Sequence, residues 1–404
     1  MDKQITHKIN LYSLYALAFA LPFYKKATPI LIIVFLVTSL INGNYRFKNK
    51  GKNILLFTVL YVAYLIGLLY SENLKYGLSD METKLSIFIF PIAFFISKID
   101  FKAILDNVLK WFVIGLTISC IICLGEGIYQ FVISGNESEL FYSKLSIFHH
   151  ASYYSMYVNL GLIIVYYQYF KKESLIKLDG VKMVLLSVFL SIVILLLSSK
   201  MGIISMLITQ LAVVIYWVVK YKSYFKSLLV ILVFIAGIAI TYSSSYTFKV
   251  RMDEFITTLK SDEASKKSTT GVRIYAWQTA IDLIKEKPLI GYGTGDVKNV
   301  LIDEYIKKDL TVLAKKELNP HNQFLQTAIA LGCIGFLILI LIFVLPLIHS
   351  IKRQFYIYAF FIGLFLLNNL TESMLETQSG VIFYGFFNAL FFVSYFDNSK
   401  NKEL

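Results

Sequence analysis

Long apolar runs recur along the chain and decide which class of fold it can adopt. A helix needs roughly 17 to 25 mostly apolar residues to cross the hydrocarbon core of a bilayer, which is about 30 Å thick. Twelve segments approach this length: residues 9–23, 27–41, 53–70, 84–96, 108–133, 151–170, 181–198, 201–219, 225–242, 321–348, 355–370 and 379–396. The sequence therefore predicts an all-α polytopic integral membrane protein with about twelve transmembrane helices.

Composition favours a membrane protein over other classes. Of the 404 residues, 57% are hydrophobic and 16% are charged, whereas a soluble globular protein has about half and about a quarter. The net charge of +13 would suit a nucleic-acid partner, but the lysines and arginines cluster in short connections between the apolar runs. We therefore expect membrane lipids around the chain and no nucleic-acid partner.

The lysines and arginines also predict the orientation. The two termini and the connections on one side hold twenty of these residues, and the short connections on the other side hold six. Because basic residues concentrate on the cytoplasmic side, both termini are predicted to be cytoplasmic. We interpret the first apolar run as an uncleaved helix rather than a signal peptide, and the orientation is the same in either case.

One long polar stretch, residues 243–320, interrupts the apolar pattern and is predicted to lie outside the cytoplasm. It carries the remaining thirteen basic residues beside eleven acidic ones, so it is nearly neutral. It divides the chain into residues 1–242 with nine transmembrane helices, the external loop itself, and residues 321–404 with the last three helices.

Apolar spacing predicts that the external loop is helical. Residues 272–284 place apolar side chains on one helical face, Pro288 and Gly291 end that segment, and residues 297–313 form a second amphipathic run. We therefore expect a folded cap. Residues 260–270, rich in Ser, Lys, Asp and Glu, are expected to be mobile.

The segment Asn319-Pro320-His321 resembles a helix start, with a capping side chain followed by a proline in the first turn. A histidine there feels the positive end of the helix dipole, which disfavours its charged form and keeps it a neutral base near pH 7. The N–H groups beside it favour an anion such as a phosphate. The alternative is a histidine that anchors the helix at the lipid headgroups.

Three cations are candidates for holding a phosphate. Arg251 and Arg273 are the two arginines of the external loop, and arginine binds phosphate oxygens bidentately. Lys200 lies in a short external connection, where it can meet a lipid phosphate. The plainer interpretations are a solvated helix residue for Arg273 and a snorkelling side chain for Lys200.

Further candidates lie near the external ends of helices. His149 and His150 precede the sixth predicted helix, where they line the same site or form an interfacial pair. Glu126 lies within the fifth helix, where an unpaired carboxylate is expensive. Glu372 and Glu376 are four residues apart and would share one helical face if their loop is helical.

Some motifs are absent from the sequence. Gly291, Gly293 and Gly295 are interpreted as a turn, because their spacing does not fit a dinucleotide-binding loop and no strand is predicted before them. The sequence has no Asp-x-Asp pair, no Walker loop and no paired metal-ligand histidines. We therefore expect no cofactor, and phosphate chemistry would rest on basic side chains.

A series of motifs occurs in a characteristic order. The most specific are Arg273-x-x-x-Trp277, Pro288-Leu289-Ile290-Gly291-x-Gly293-x-Gly295, Pro320-His321-Asn322-x-Phe324-Leu325, and then Gly332 and Gly335. The weaker ones are Tyr70-Ser71-Glu72-Asn73, Glu82-x-Lys84-Leu85, and Ser198-Ser199-Lys200-Met201-Gly202. In this order they resemble the O-antigen ligase and polymerase superfamily of bacterial surface-polysaccharide assembly. Lys200 stands where that family usually carries arginine, which keeps a cation but loses the bidentate fork.

This resemblance implies a metal-independent glycosyltransferase that inverts the anomeric carbon. Its donor would be a glycan on undecaprenyl pyrophosphate, used at the periplasmic face of the bacterial inner membrane. By the same resemblance, Arg273 and Lys200 would hold the pyrophosphate, and His321 would deprotonate or orient the acceptor hydroxyl. The wider set of candidate substrate-binding residues is Lys200, Arg251, His149, His150, Asn322, Glu372 and Glu376.

Three activities stay open at this stage. A ligase moves a finished glycan to a glycolipid acceptor such as a lipid A core sugar. The chain length and the single large loop favour it over longer relatives that glycosylate proteins. A polymerase instead joins repeat units into a growing polysaccharide. A transporter that flips lipid-linked glycans would also use a basic cavity among many helices.

Overall fold

The computed structural model describes residues 3–23, 27–43, 51–171, 179–260 and 269–396 of the chain. Within these ranges the regular structure is helical. The α-helices are α1 Lys3–Ala20, α2 Ala27–Ile41, α3 Gly51–Leu68, α4 Leu74–Ile96, α5 Phe101–Ser134, α6 Tyr142–Leu145, α7 Ala151–Phe170, α8 Gly180–Leu196, α9 Lys200–Tyr221, α10 Tyr224–Ser244, α11 Tyr246–Lys260, α12 Thr269–Glu286, α13 Val297–Lys307, α14 Thr311–Lys315, α15 Gln323–Lys352, α16 Tyr356–Asn369 and α17 Gln378–Phe396. Two 3₁₀ turns, Glu137–Leu140 and Met374–Glu376, complete the regular structure. The all-α prediction is confirmed for the described residues.

Every one of the twelve predicted apolar segments falls on a helix. Among the described residues, α5, α9 and α15 are long and apolar enough to cross a membrane, and several shorter apolar helices accompany them. The chain is thus a multi-pass membrane protein, while the count of twelve spans stays a prediction. The fourth segment was predicted too short, because α4 begins ten residues earlier, at Leu74.

The chain forms two compact units. The first comprises Met1–Leu14, Pro29–Leu105 and Ser261–Leu404, and the second comprises Tyr15–Thr28 and Asp106–Lys260. The predicted division of the chain at residues 242 and 320 stays a prediction. The periplasmic placement of the external loop stays a prediction.

Aromatic side chains fill the core of the first unit. Phe90 and Phe94 of α4 both contact Phe386 of α17, with ring centroids 5.7 Å apart in each pair. Gly385 lets the two helices approach closely, because a Cβ atom there would lie 2.9 Å from the Ser86 carbonyl oxygen. Tight packing of this kind holds α4 and α17 in a fixed position relative to each other.

The glycine-rich motif at 288–295 packs against a kink in α15. Gly332 interrupts the helix with φ +62° and ψ −159°. The amides of Tyr292 and Gly293 donate to the carbonyls of Ile329 and Ala330, at 2.9 Å each. Gly291 and Gly293 have φ values of +70° and +99°, as their interpretation as a turn requires.

The weaker Tyr-Ser-Glu-Asn motif fastens the other side of this turn. The Tyr70 hydroxyl donates to the Ile290 carbonyl at 2.6 Å, and the Gly295 amide donates to Ser71 Oγ at 2.9 Å. The Asp296 carboxylate accepts the backbone N–H groups of residues 72 and 73, both at 2.8 Å. Two motifs that are far apart in sequence are therefore joined by hydrogen bonds.

Replacement of Gly332 by alanine is expected to lower the free energy of unfolding by at least about 1 to 3 kcal/mol, because its backbone conformation is essentially restricted to glycine. A Cβ atom there would also lie 2.3 Å from the Leu289 carbonyl. Thermal unfolding in detergent measures the effect. The control is Gly363→Ala in α16, where a Cβ atom meets nothing within 4 Å; equal loss in both variants would contradict the account.

The two amphipathic runs predicted at 272–284 and 297–313 are helical, in α12 and in α13 to α14, while their role as an external cap stays a prediction. Lys308 Nζ lies 2.6 Å from Asp282 Oδ2 and joins them, and this hydrogen bond lowers the pKa of the Asp282 carboxyl. Helix α11 was not predicted. The expected mobility of residues 260–270 falls mostly outside the described residues.

In the second unit, α7 is almost wholly buried. Asn159 donates to the Gly202 carbonyl of α9 at 3.0 Å, and the Tyr166 hydroxyl donates to the Gln210 side chain at 2.8 Å. At the C-terminal end of α7, Lys171 Nζ lies 2.9 Å from the buried carboxylate of Asp106. Because these three donors find acceptors within the helix bundle, they are tolerated in an apolar protein.

Candidate active site

The start of α15 differs from the prediction. The helix begins at Gln323, and its cap is Asn322, whose Oδ1 accepts the amides of Phe324 and Leu325 at 2.9 and 3.1 Å. The predicted start at Asn319 and Pro320 is wrong by three residues. Asn319 instead accepts the His321 amide at 2.9 Å within a tight turn.

His321 therefore lies just outside the helix, in a left-handed backbone conformation with φ +47°. Such a conformation is uncommon for a residue with a side chain and is often found at functional sites. The side-chain Nδ2 of Asn322 donates to the Leu370 carbonyl at 3.1 Å. The oxygen and the nitrogen of this side chain therefore both bind backbone groups. Asn322 thus positions the turn, and its predicted substrate contact stays a prediction.

Glu372 is the centre of the site in the first unit. Its Oε2 lies 2.9 Å from His321 Nδ1, and its Oε1 accepts a hydrogen bond from Arg273 Nη2. The Glu372 side chain is 10% exposed, against 27% for His321 and 26% for Arg273. The carboxylate is thus buried while the two groups that it holds reach the surface.

Helix α12 supplies two side chains from one face. Arg273 and Trp277 are four residues apart, which is one helical turn. Trp277 donates its indole N–H to the Pro320 carbonyl at 2.8 Å. The Arg-x-x-x-Trp motif thus binds both the acid and the turn that carries the histidine, which explains why the two motifs occur together.

This geometry determines the tautomer of His321. A carboxylate only accepts hydrogen bonds, so Nδ1 must carry the proton in the contact with Glu372. The Nε2 atom of a neutral imidazole is then an unprotonated acceptor. No partner for Nε2 is seen among the residues that the structure describes, so this nitrogen is able to receive a proton.

A second ionic cluster lies beneath Glu372. Lys84 Nζ lies 2.9 Å from Glu376 Oε2 and also pairs with Asp80, one turn earlier on α4. Gln323 donates to Glu376 Oε1 at 3.2 Å and accepts the Leu375 amide at 2.7 Å. Lys84, the first residue of the fourth predicted segment, is completely buried.

The loop after α16 is not the α-helix on which the shared face of Glu372 and Glu376 depended. Only Met374–Glu376 forms a 3₁₀ turn. As a result the two acids take different partners: Glu372 holds the histidine and the arginine, whereas Glu376 holds Lys84. Both acids position other groups in this structure.

The remaining cationic candidates belong to the second unit. Lys200 is the first residue of α9, directly after its cap Ser199. Arg251 donates Nε–H to the Ser198 carbonyl at 3.2 Å, and its guanidinium lies 3.6 Å from the centre of the Tyr142 ring. The structure thus brings Arg251 to the turn that precedes Lys200.

The two adjacent histidines have structural contacts. His149 is buried, its ring lies 3.2 Å from the Leu21 carbonyl through Nε2, and it stacks on Tyr157 at 4.8 Å. His150 caps α7. Glu126 is exposed on α5 and accepts a hydrogen bond from Gln130 at 2.8 Å, so none of the three needs a substrate to satisfy it.

Fold and site together define a helical multi-pass membrane protein with a histidine, a carboxylate and an arginine assembled beside a capped helix start. Residues 185–340 match the O-antigen ligase family, which confirms the resemblance to the O-antigen ligase and polymerase superfamily. Arg273 and His321 lie within the matched range, whereas Glu372 and Lys84 lie beyond it.

One relative is a protein of Haemophilus influenzae described as uncharacterized. It is 30% identical over 145 residues, which cover 33% of this chain and 35% of that protein. The chain thus spans about a third of the length of the curated relative it matches.

Proposed function

We propose that the protein is an inverting, metal-independent glycosyltransferase of the O-antigen ligase type. It moves a glycan from undecaprenyl pyrophosphate to a lipid A core or similar glycolipid at the periplasmic face of the bacterial inner membrane. The observation that carries this proposal is the assembly of His321, Glu372 and Arg273, which unites a base, its orienting carboxylate and a phosphate-binding cation.

In this mechanism His321 is the general base. Its Nε2 takes the proton of the acceptor hydroxyl as that oxygen attacks the anomeric carbon, and a positioned base of this kind contributes about 10²- to 10⁴-fold in rate. Glu372 keeps Nδ1 protonated and stabilises the imidazolium that forms. Glu372 is thus a positioning residue.

The pyrophosphate leaves from the opposite face of the sugar, so a single displacement inverts the configuration. It leaves as an anion, and its departure needs charge stabilisation rather than a proton. The bond from Arg273 to Glu372 uses one guanidinium nitrogen, and a guanidinium has five N–H donors in all. The remaining donors of Arg273 are assigned to the pyrophosphate. The substrate contacts of Lys200 and Arg251 stay predictions.

The test is deletion of the gene, followed by electrophoresis of the surface glycolipids. We expect loss of all long chains and accumulation of the lipid-linked glycan, with restoration by the wild-type gene. Glycolipids capped by a single repeat would assign the protein to polymerisation instead. Donor trapped on the cytoplasmic leaflet would indicate a transporter.

A further inference from the structure

A cleft of about 180 Å³ lies in the first unit, next to the turn that carries His321. It is smaller than the sites of about 300 to 1,000 Å³ that enclose a drug-sized ligand, so it suits a single ring rather than a larger molecule. Residues of α4, α13 and α15 and of the turn at 317–319 line it. Asn319 is one of them, and the same side chain accepts the His321 amide.

An unsatisfied amide faces the cleft. Gln326 lines it and is 5% exposed, and its Oε1 has no hydrogen-bond partner among the described residues. A buried acceptor without a partner costs roughly 1 to 3 kcal/mol, so proteins seldom keep one without a use. A ligand hydroxyl entering the cleft would satisfy this oxygen.

The charge of the cleft argues against an anionic ligand. Its cation, Lys298, lies 2.6 Å from the carboxylate of Glu317, which also lines the cleft. The positive charge is therefore neutralised before any phosphate arrives. Gln326 and Asn319 make the wall too polar for an acyl chain.

The rest of the lining suits a sugar ring, which has apolar C–H faces and hydroxyl edges. Val297 and Leu301 offer apolar surface, and Tyr76 adds an aromatic ring with Lys298 Nζ 5.9 Å from its centre. A wall that combines polar groups with some apolar surface is suited to such a sugar ring.

We propose that this cleft binds a neutral sugar ring of the acceptor, with Gln326 receiving one of its hydroxyl groups. The inference rests on the proposed transferase function and names its acceptor subsite. Residues 319–326 carry both the base and Gln326, and Asn319 of the lining also accepts the His321 amide, so the cleft lies beside the segment that carries the base. The donor pyrophosphate binds elsewhere.

The first experiment compares wild type, Gln326→Leu and the matched control Gln278→Leu, whose glutamine is exposed on α12. Polysaccharide-free lipid A core from the deletion strain is the acceptor. Loss of one neutral hydrogen bond predicts a rise of about tenfold in the acceptor KM for Gln326→Leu. The kcat, the donor KM and the melting temperature should stay within error, because the leucine removes an unpaired polar group.

The second experiment needs no turnover. Saturation-transfer NMR is recorded on the wild-type protein with methyl glycosides of glucose, galactose and N-acetylglucosamine. We expect a signal from at least one of them, absent in Gln326→Leu and retained in Gln278→Leu. If wild type makes no product but these signals appear, the transferase function fails while the sugar cleft stands. An unchanged acceptor KM, a raised donor KM, or no glycoside signal with intact transfer would overturn the cleft proposal.

Discussion

Replacement of His321 by alanine should reduce glycan transfer by about 10²- to 10⁴-fold, the range that a positioned base supplies. The loss follows from geometry, since Glu372 lies 2.9 Å from Nδ1 and leaves Nε2 to accept a proton. Binding of donor and acceptor should change little, because His321 is assigned to the transition state rather than to ground-state binding. The rate of coupled glycolipid formation by purified protein measures this.

The matched control is His349→Ala, which removes an exposed histidine from the last turn of the same helix. It should keep full transfer. Both variants should melt at the wild-type temperature, since His321 is partly exposed. Transfer by His321→Ala at more than a tenth of the wild-type rate would exclude His321 as the base.

Replacement of Lys84 by methionine should lower the free energy of unfolding by about 3 to 5 kcal/mol, the usual effect of removing one partner of a buried ion pair. Lys84 is 0% exposed, and the side chains of Asp80 and Glu376 are each 9% exposed. Without the ammonium group, two buried carboxylates face each other. The midpoint of thermal unfolding in detergent should fall accordingly.

Two controls separate this effect from a general loss of charge. Lys144→Met breaks a pair whose lysine is 50% exposed, and such pairs contribute at most about 1 kcal/mol. Lys84→Met combined with Asp80→Asn and Glu376→Gln removes the uncompensated charges, so it should regain most of the lost stability. A triple variant as unstable as Lys84→Met would contradict the ionic account.

Helix positions could be predicted from the sequence because each long apolar run corresponds to a helix. The predicted segment at 151–170 coincides with α7, and that at 27–41 coincides with α2. The helices at 272–284 and 297–313 could also be predicted, as could the choice of Arg273 and His321 as candidate site residues. Those predictions rest on local patterns of apolar, proline and basic residues, which survive without tertiary information.

The start of α15 shows where local patterns fail. Asn319 and Asn322 are equally good caps in sequence, and the structure uses both, one for the turn and one for the helix. Only the contact of Asn322 with the Leu370 carbonyl distinguishes them, and that contact joins distant segments. When two possible caps lie three residues apart, the first residue of the helix is therefore ambiguous until tertiary packing is known.

The ionic contacts of Lys84 and Glu372 could not be predicted from the sequence, for a different reason. Lys84 and the acids around it made the beginning of α4 look like a loop, although its 80-to-84 spacing is that of a helical ion pair. Its burial depends on Glu376, 292 residues away. Glu372 was noted as one of two acids, but its role depends on residues 273 and 321, which are distant in sequence.

The most direct test of the account is product formation by the purified protein in proteoliposomes. The reaction contains an undecaprenyl-pyrophosphate-linked glycan, polysaccharide-free lipid A core and a metal chelator, without nucleotide or an ion gradient. We predict coupled glycolipid and released undecaprenyl pyrophosphate in equal amounts from wild type, and neither above background from Arg273→Ala. Movement of the glycan across the bilayer without any new glycosidic bond would contradict the account.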